Sequence, residues 1–208
     1  SSAASDVYKR QILRSMSFQI SLLAAAAVAG RFGVAALAAH QILLQLWNFL
    51  SLVLDSLAIA AQTLTGSALG TGDVERAKEV GKQTTRFSTG FGVLLAVVFG
   101  VFAGQIWSLF TQDPSVHSQL RGPWICLVSM IIVGGVVFAL DGVLLGASDA
   151  AFLRNLTIAS VLGVFFPITL MSIAFGWGLT GIWVGQLASV VCRLIGVVVR
   201  FRSMKWAR

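Results

Sequence analysis

The stretch VAALAAHQILLQLWNFLSLVLDSLAIAAQTLTGSAL, residues 34–69, decides the fold. It is apolar for long enough to cross a bilayer as a helix. Yet Asp55 stands in its middle, and Gln41, Gln45, Asn48 and Gln62 share it. The five polar residues follow one another at spacings of 4, 3, 7 and 7. At about 100° per residue they fall within a sector of roughly 100° on one helical face. A carboxylate turned toward lipid costs about 3 kcal/mol or more, so this face is expected to meet protein or water. Two readings fit the stripe: a polar seam between packed helices, or one wall of a solute or ion path.

Composition extends that reading to the whole chain. Of 208 residues, 57% are hydrophobic and 11% charged, with a mean hydropathy of +0.87. An ordinary soluble domain carries about 25% charged residues. Six stretches are long and apolar enough to span, at residues 12–29, 36–69, 80–103, 119–146, 150–175 and 179–201. The second exceeds the bilayer thickness, which predicts tilt or an extra turn outside it. The alternating ten-residue pattern of a membrane barrel is missing. The expected fold class is an all-α polytopic membrane protein of six transmembrane helices.

The net charge of +7 tracks membrane sides rather than a nucleic-acid surface. Arg76, Lys78, Lys82 and Arg86 cluster at the second connection, Arg154 follows the fourth, and Arg200, Arg202, Lys205 and Arg208 close the chain. The opposite connections carry Arg31 and Arg121 alone. By the positive-inside rule the first span starts in the cytoplasm and the C-terminus returns to it. Arg193 breaks the pattern inside the last span, where it is expected to snorkel or pair with an acid.

Asp141 is the second carboxylate within a span, with no basic neighbour within a helical turn of sequence. It fits either a group that takes up and releases protons or a structural carboxylate satisfied by hydroxyls, amides or Arg193. Asp149 reads as the N-cap of the fifth helix. Gly100 with Gly104, and Gly142 with Gly146, form GxxxG pairs expected at helix contacts. Pro167 is expected to kink the fifth span. His40 is expected to be a hydrogen-bonded structural residue, and neither Cys126 nor Cys192 has metal-ligand spacing.

Residues 38–42 (AAHQI), 60–62 (AAQ) and 66–78 (GSALGTGDVERAK) resemble the eighth helix and following loop of MATE (multidrug and toxic compound extrusion) transporters. Residues 138–142 (FALDG) with 146–149 (GASD) resemble the tenth helix of the DinF-like branch, and 109–113 (LFTQD) and 176–183 (GWGLTGIW) resemble the intervening external loops. The similarity covers residues 12–208. It implies one six-helix lobe, the C-terminal, of a twelve-helix MATE-like transporter whose substrate cleft lies between two lobes. The implied activity is cation-coupled antiport that exports drugs or metabolites by alternating access. The implied partners are a small organic, cationic substrate, the lipid bilayer and the N-terminal lobe of the same chain, with no nucleic acid. No cofactor is implied beyond a coupling ion, H+ or Na+. The acids that the sodium-coupled NorM-like branch keeps in its seventh and tenth helices align here with Phe18 and Gly134, which favours H+. Asp55, Asp141, Gln41, Gln45, Asn48 and Gln62 are the expected substrate or proton pathway, with no metal site and no enzymatic activity. The expected location is the bacterial plasma membrane, multi-pass, with the C-terminus cytoplasmic.

Two rivals share the architecture. A lipid-linked sugar flippase of the same superfamily calls for a more cationic cavity than Arg193 supplies, and a non-transporting membrane subunit would leave both acids dispensable. An intramembrane aspartyl protease needs a Gly-x-Gly-Asp setting, which residues 146–149 (GASD) lack.

Residues 1–11 stand apart from this organisation. Residues 6–11 (DVYKRQ) resemble the translation of a transposon adapter used in sequencing libraries, so residues 1–11 are expected to be non-native and 12–208 to form the lobe. Resequencing the locus from intact DNA is expected to replace this hexapeptide; an uninterrupted gene encoding it would refute the assignment.

Overall fold

The computed structural model describes residues 25–206. The expected adapter-derived segment, most of the expected first span and Phe18 lie outside the described residues. Residues 25–31 are helical and turn at Phe32 and Gly33, where a φ of 107° calls for glycine. There follow α1 (Val34–Gly70), α2 (Val74–Val101), the short α3 (Ala103–Phe110), α4 (Pro114–Gly146), α5 (Ala150–Ser160), a π-helical turn (Val161–Phe165), α6 (Phe166–Ala174) and α7 (Gly178–Arg202). Five of the expected spans appear among the described residues, with α5, the π-turn and α6 forming one of them. At 37 residues α1 is roughly 55 Å long. It therefore outruns a hydrocarbon core of about 30 Å, as its sequence length requires.

The connections follow local chemistry. Asp73 caps α2 by accepting from the Arg76 backbone N–H at 2.9 Å, and Thr71 Oγ1 donates to the Ala68 carbonyl at 2.9 Å. Asp113 caps α4 through the Ser115 backbone N–H at 2.8 Å and hydroxyl at 2.7 Å, with Pro114 in the first helical position. Those Ser115 bonds hold the exposed Asp113 carboxyl below its ordinary range. Asp149 occupies the N-cap position of α5 but makes no cap hydrogen bond. Its carboxylate instead accepts from Arg200 Nε at 2.6 Å and Nη2 at 3.2 Å. A guanidinium fork offers the carboxylate two bonds from a charged donor, where a cap offers bonds from neutral backbone N–H groups. Residues 103–110, partly read as loop, form α3 after a break at Phe102.

The expected kink of the fifth span lies just ahead of Pro167. Proline lacks the N–H for the carbonyl four residues back, and its ring crowds that carbonyl. The helix widens here, and the Phe166 N–H reaches the Val161 carbonyl five residues back. A π-turn thus takes up the distortion over 161–165.

The helix α4 is the hub. It packs on α1, α2 and α7, and its membrane window is the most buried of the five. Its glycines make this approach feasible. A Cβ on Gly142 would collide with the Ala58 carbonyl oxygen, and one on Gly146 with that of Gln62, so the 142/146 pair lets α1 and α4 meet backbone to backbone. Gly135 does the same toward Ser88 of α2, where a Cβ would lie 2.6 Å from the carbonyl oxygen. The other GxxxG pair does not act this way: nothing lies within 4 Å of a Cβ on Gly100 or Gly104. The break at Phe102 separates the two onto different helices.

Two apolar clusters fill the lobe. One gathers Leu43, Trp47, Leu50, Ile131 and Trp183; the other gathers Ala61, Ala77, Val143, Leu144 and Val197. His40 belongs to the first level, 2% exposed, where its Nδ1 accepts from Trp183 Nε1 at 3.2 Å. An indole nitrogen can only donate, so the imidazole is neutral with its proton on Nε2. His40 is a buried, hydrogen-bonded core group.

Replacing Gly142 or Gly146 with Val should lower thermal stability by roughly 1–3 kcal/mol per site through overpacking. Gly100→Val should be near neutral. Melting curves of the purified full-length protein compare the three.

Candidate functional site

The polar stripe of α1 faces away from the core. Gln41, Gln45, Asn48, Asp55 and Gln62 are all exposed, while Leu43, Leu50, Leu54 and Ala61 on the opposite side are buried. Among the described residues the stripe is therefore not a buried seam between helices. The stripe lies on an open face.

Both α1 and α7 lean on α4 and scarcely touch each other, which leaves a groove with α4 as its floor. The groove opens into a cleft of about 500 Å³. Asn48 and Asp55 line it from α1, and Asp141 from the floor. Gln186, Ser189 and Arg193 line it from α7, with Thr157, Ser160 and Phe165 from the bent span. Gln41, Gln45 and Gln62 share the exposed face but lie outside the cleft. The structure therefore brings together three of the six expected site residues.

Arg193, one of the groups expected beside Asp141, is a partner of it in the structure. Its Nη2 donates to Asp141 Oδ2 at 2.5 Å, joining α7 to α4 across 52 residues of sequence. The two side chains keep 23% and 16% of their exposure. Removing one partner of a fully dry pair costs about 3–5 kcal/mol, and less here because water reaches both. Asp55 differs from Asp141: it is exposed and makes no hydrogen bond or ion pair among the described residues. The cleft thus holds one carboxylate tied to a guanidinium and one facing the opening. Around them stand the edge-to-face rings of Trp47 and Phe138, 6.5 Å apart, which offer aromatic faces and edges beside the charges.

Asp55 falls between Leu50 of the first apolar cluster and Ala61 of the second, Asp141 follows Leu140 of the second, and Arg193 stands beside Leu194, which packs against the first. Such a site presents charged, amide and hydroxyl groups beside aromatic rings. Among the described residues that line it there is no paired nucleophile and base.

Sequence reasoning singled out Arg193 but missed Gln186 and Ser189. Their signal was present: 186, 189 and 193 repeat at 3 and 4, the periodicity that exposed the stripe on α1. The aromatic walls carried no such signal, since Trp47 and Phe138 are indistinguishable from core residues in sequence.

Cysteine labelling tests which surfaces are wet. In full-length protein lacking Cys126 and Cys192, Asn48→Cys, Asp55→Cys and Gln186→Cys should react with a hydrophilic maleimide. Leu43→Cys and Leu54→Cys should stay unlabelled until denaturation. Equal labelling of both groups would refute the assignment of faces.

Comparison with known proteins identifies the architecture. The MatE family model matches residues 11–171. The chain is 31% identical over 195 residues to Protein DETOXIFICATION 45, chloroplastic, of Arabidopsis thaliana, covering 94% of this chain and 34% of that protein. It is 26% identical over 199 residues to DNA damage-inducible protein F of Escherichia coli, covering 95% of this chain and 41% of that one. Against a probable multidrug resistance protein NorM of Brucella suis it is 27% identical over 198 residues, with 92% and 41% covered. The crystal structure of the eukaryotic MATE transporter AtDTX14 superposes with a TM-score of 0.82 at 16% identity, over 94% of this chain and 43% of that one. The chain thus spans about a third to two fifths of the length of these relatives. With a family match over most of its length and a multi-helix membrane fold shared with a solved MATE transporter, the chain belongs to the MatE family.

Proposed function

We propose that this chain is the C-terminal six-helix lobe of a cation-coupled antiporter that exports drugs or metabolites by alternating access. The observation that carries this is the cleft between α1 and α7, open on one side, with the exposed carboxylate of Asp55 on its wall. A groove lined by charge and aromatic rings on the open face of a helical lobe suits an organic cation held between two lobes. The fraction of each relative that the chain covers fits one lobe of a two-lobe protein. Taken alone, such a lobe cannot seal alternately on either side of the membrane and should not transport.

Asp55 supplies a counter-charge for substrate or proton, and Asn48 a neutral hydrogen-bonding group one and a half to two turns away on the same wall. Gln41, Gln45 and Gln62 extend that face toward the opposite lobe, beyond the cleft. H+ is the favoured coupling ion over Na+. Gly134, at the position aligned with an acid of the sodium-coupled branch, faces Leu54 and Trp47 and presents no oxygen-bearing side chain. The membrane we propose is a bacterial plasma membrane, with the C-terminus on the cytoplasmic side that the positive-inside rule gives to Arg200, Arg202 and Lys205. It works as a transporter rather than an enzyme, its partners being substrate, lipid and the N-terminal lobe.

Dye efflux into vesicles carrying the full-length protein tests this reading. Wild type should respond to a pH gradient and not to a sodium gradient, and Asp55→Asn should lose at least about tenfold in rate at equal expression. Unchanged efflux in Asp55→Asn and Asp141→Asn alike would assign both acids to structure and overturn their place in the path.

A further inference from the structure

Beside the cleft lies a smaller cavity, with about 10 Å³ open to the centre of a water-sized sphere. A single water needs about that much room. His40, Trp183 and Gln186 line it, and its other walls are hydrocarbon, Ala25 and Phe165 among them. Phe165 and Gln186 line the cleft as well, so they form the partition between the two spaces. His40 is 2% exposed, and its Nε2 has no hydrogen-bond partner among the described residues. We propose that one water molecule binds in this cavity, accepting from His40 Nε2 and donating to Gln186 Oε1, and that it holds the Gln186 amide N–H groups toward the cleft. This holds whatever solute the cleft carries.

The direction of each bond follows from the one beside it. An indole nitrogen can only donate, and Trp183 Nε1 donates to His40 Nδ1 at 3.2 Å. The imidazole proton is therefore on Nε2, where burial leaves a donor in need of an acceptor. A buried donor without one is destabilising, and a polar cavity of this size is where proteins hold an internal water. The water then has two O–H groups to place. Of the side chains lining the cavity, Gln186 is the one that can accept, since Trp183 has no acceptor and His40 Nδ1 is occupied. Residues 183 and 186 stand three apart on one helix, which puts the indole and the amide on the same face of α7. With its carbonyl turned inward, Gln186 turns its NH2 group to the other side of the partition. The cleft wall thereby gains a fixed hydrogen-bond donor. His40 is a positioning residue: it lies outside the cleft lining and acts on it through the water and the amide.

Solid-state NMR of the full-length protein in lipid bilayers, with isotope-labelled histidine, reads the tautomer and the water together. The His40 signals are those that His40→Phe removes. In wild type the proton should sit on Nε2, and magnetisation should pass to it directly from water. Gln186→Glu, whose carboxylate accepts, should keep that transfer. Gln186→Met, which offers the water no oxygen, should lose it. Ala25→Val fills the cavity without removing a hydrogen-bonding group and should lose it too. Each variant is compared once its melting curve shows it folded; should Ala25→Val fail to fold through overpacking, the two Gln186 variants decide. A proton on Nδ1 or no transfer in wild type overturns the water site, and transfer that persists in Ala25→Val overturns its place in this cavity. Transfer that persists in Gln186→Met overturns the bridge, and loss in Gln186→Glu overturns the orientation of the amide.

Discussion

The bond between Asp141 and Arg193 is the constraint around which the lobe is arranged. Neither charge can remain alone at the middle of a hydrophobic bundle without a cost of several kcal/mol. Each must find the other, and α4 and α7 must approach closely enough to let them. This sets the rotation of both helices about their axes. With Asp141 turned toward α7, the opposite flank of α4 carries Gly142 and Gly146 into the backbone of α1. With Arg193 turned toward α4, Ser189 and Gln186 come onto the cleft wall about one and two turns away. One ion pair therefore defines the floor and one side of the cleft together.

A second constraint comes from the small residues of α4. Lipid tails give no hydrophobic advantage to helix contact, so close packing has to supply it. Glycines at 135, 142 and 146 bring α2 and α1 within backbone distance of α4. The exposed stripe of α1 follows from this geometry, because the side of α1 pressed against Gly142 carries Leu54, Ala58 and Ala61, and the polar residues lie on the other side. The stripe faces outward because the glycines hold its reverse face inward.

Much of this was legible in the sequence, and what was not has a physical reason. The spans and the polar face of α1 rest on local periodicity and composition, which a single chain displays. The partner of Asp141 lies 52 residues away. Local sequence offers hydroxyls, amides and a guanidinium as equal candidates, and only the packing of α7 on α4 selects one. Asp149 went to Arg200 for a similar reason: cap chemistry is local, while the stronger ion pair is not. Gly100 and Gly104 show the converse limit, since a spacing that signals contact along one continuous helix loses its meaning where the helix breaks at Phe102. Of the six expected site residues, the cleft selects three because a stripe along roughly 30 Å of helix is longer than any one pocket beside it.

The bent span adds the last element. Its π-turn places Ser160 and Phe165 on the cleft, while Pro167 stands just beyond it. An unbroken α-helix carrying proline at 167 would leave the carbonyl of residue 163 crowded by the ring and without its donor. Widening the turn relieves the crowding and rotates the residues ahead of it relative to those behind. The same distortion that solves a local backbone problem thereby brings Phe165 and Ser160 to the cleft between α1 and α7, with the Ser160 hydroxyl donating to the Leu156 carbonyl at 2.8 Å. The cleft is thus built from three imperfections that a static bundle has reason to avoid: a carboxylate on an open face, an ion pair within an apolar bundle and a widened turn. Their convergence on one groove gives the lobe a polar, partly exposed surface that none of them would make alone.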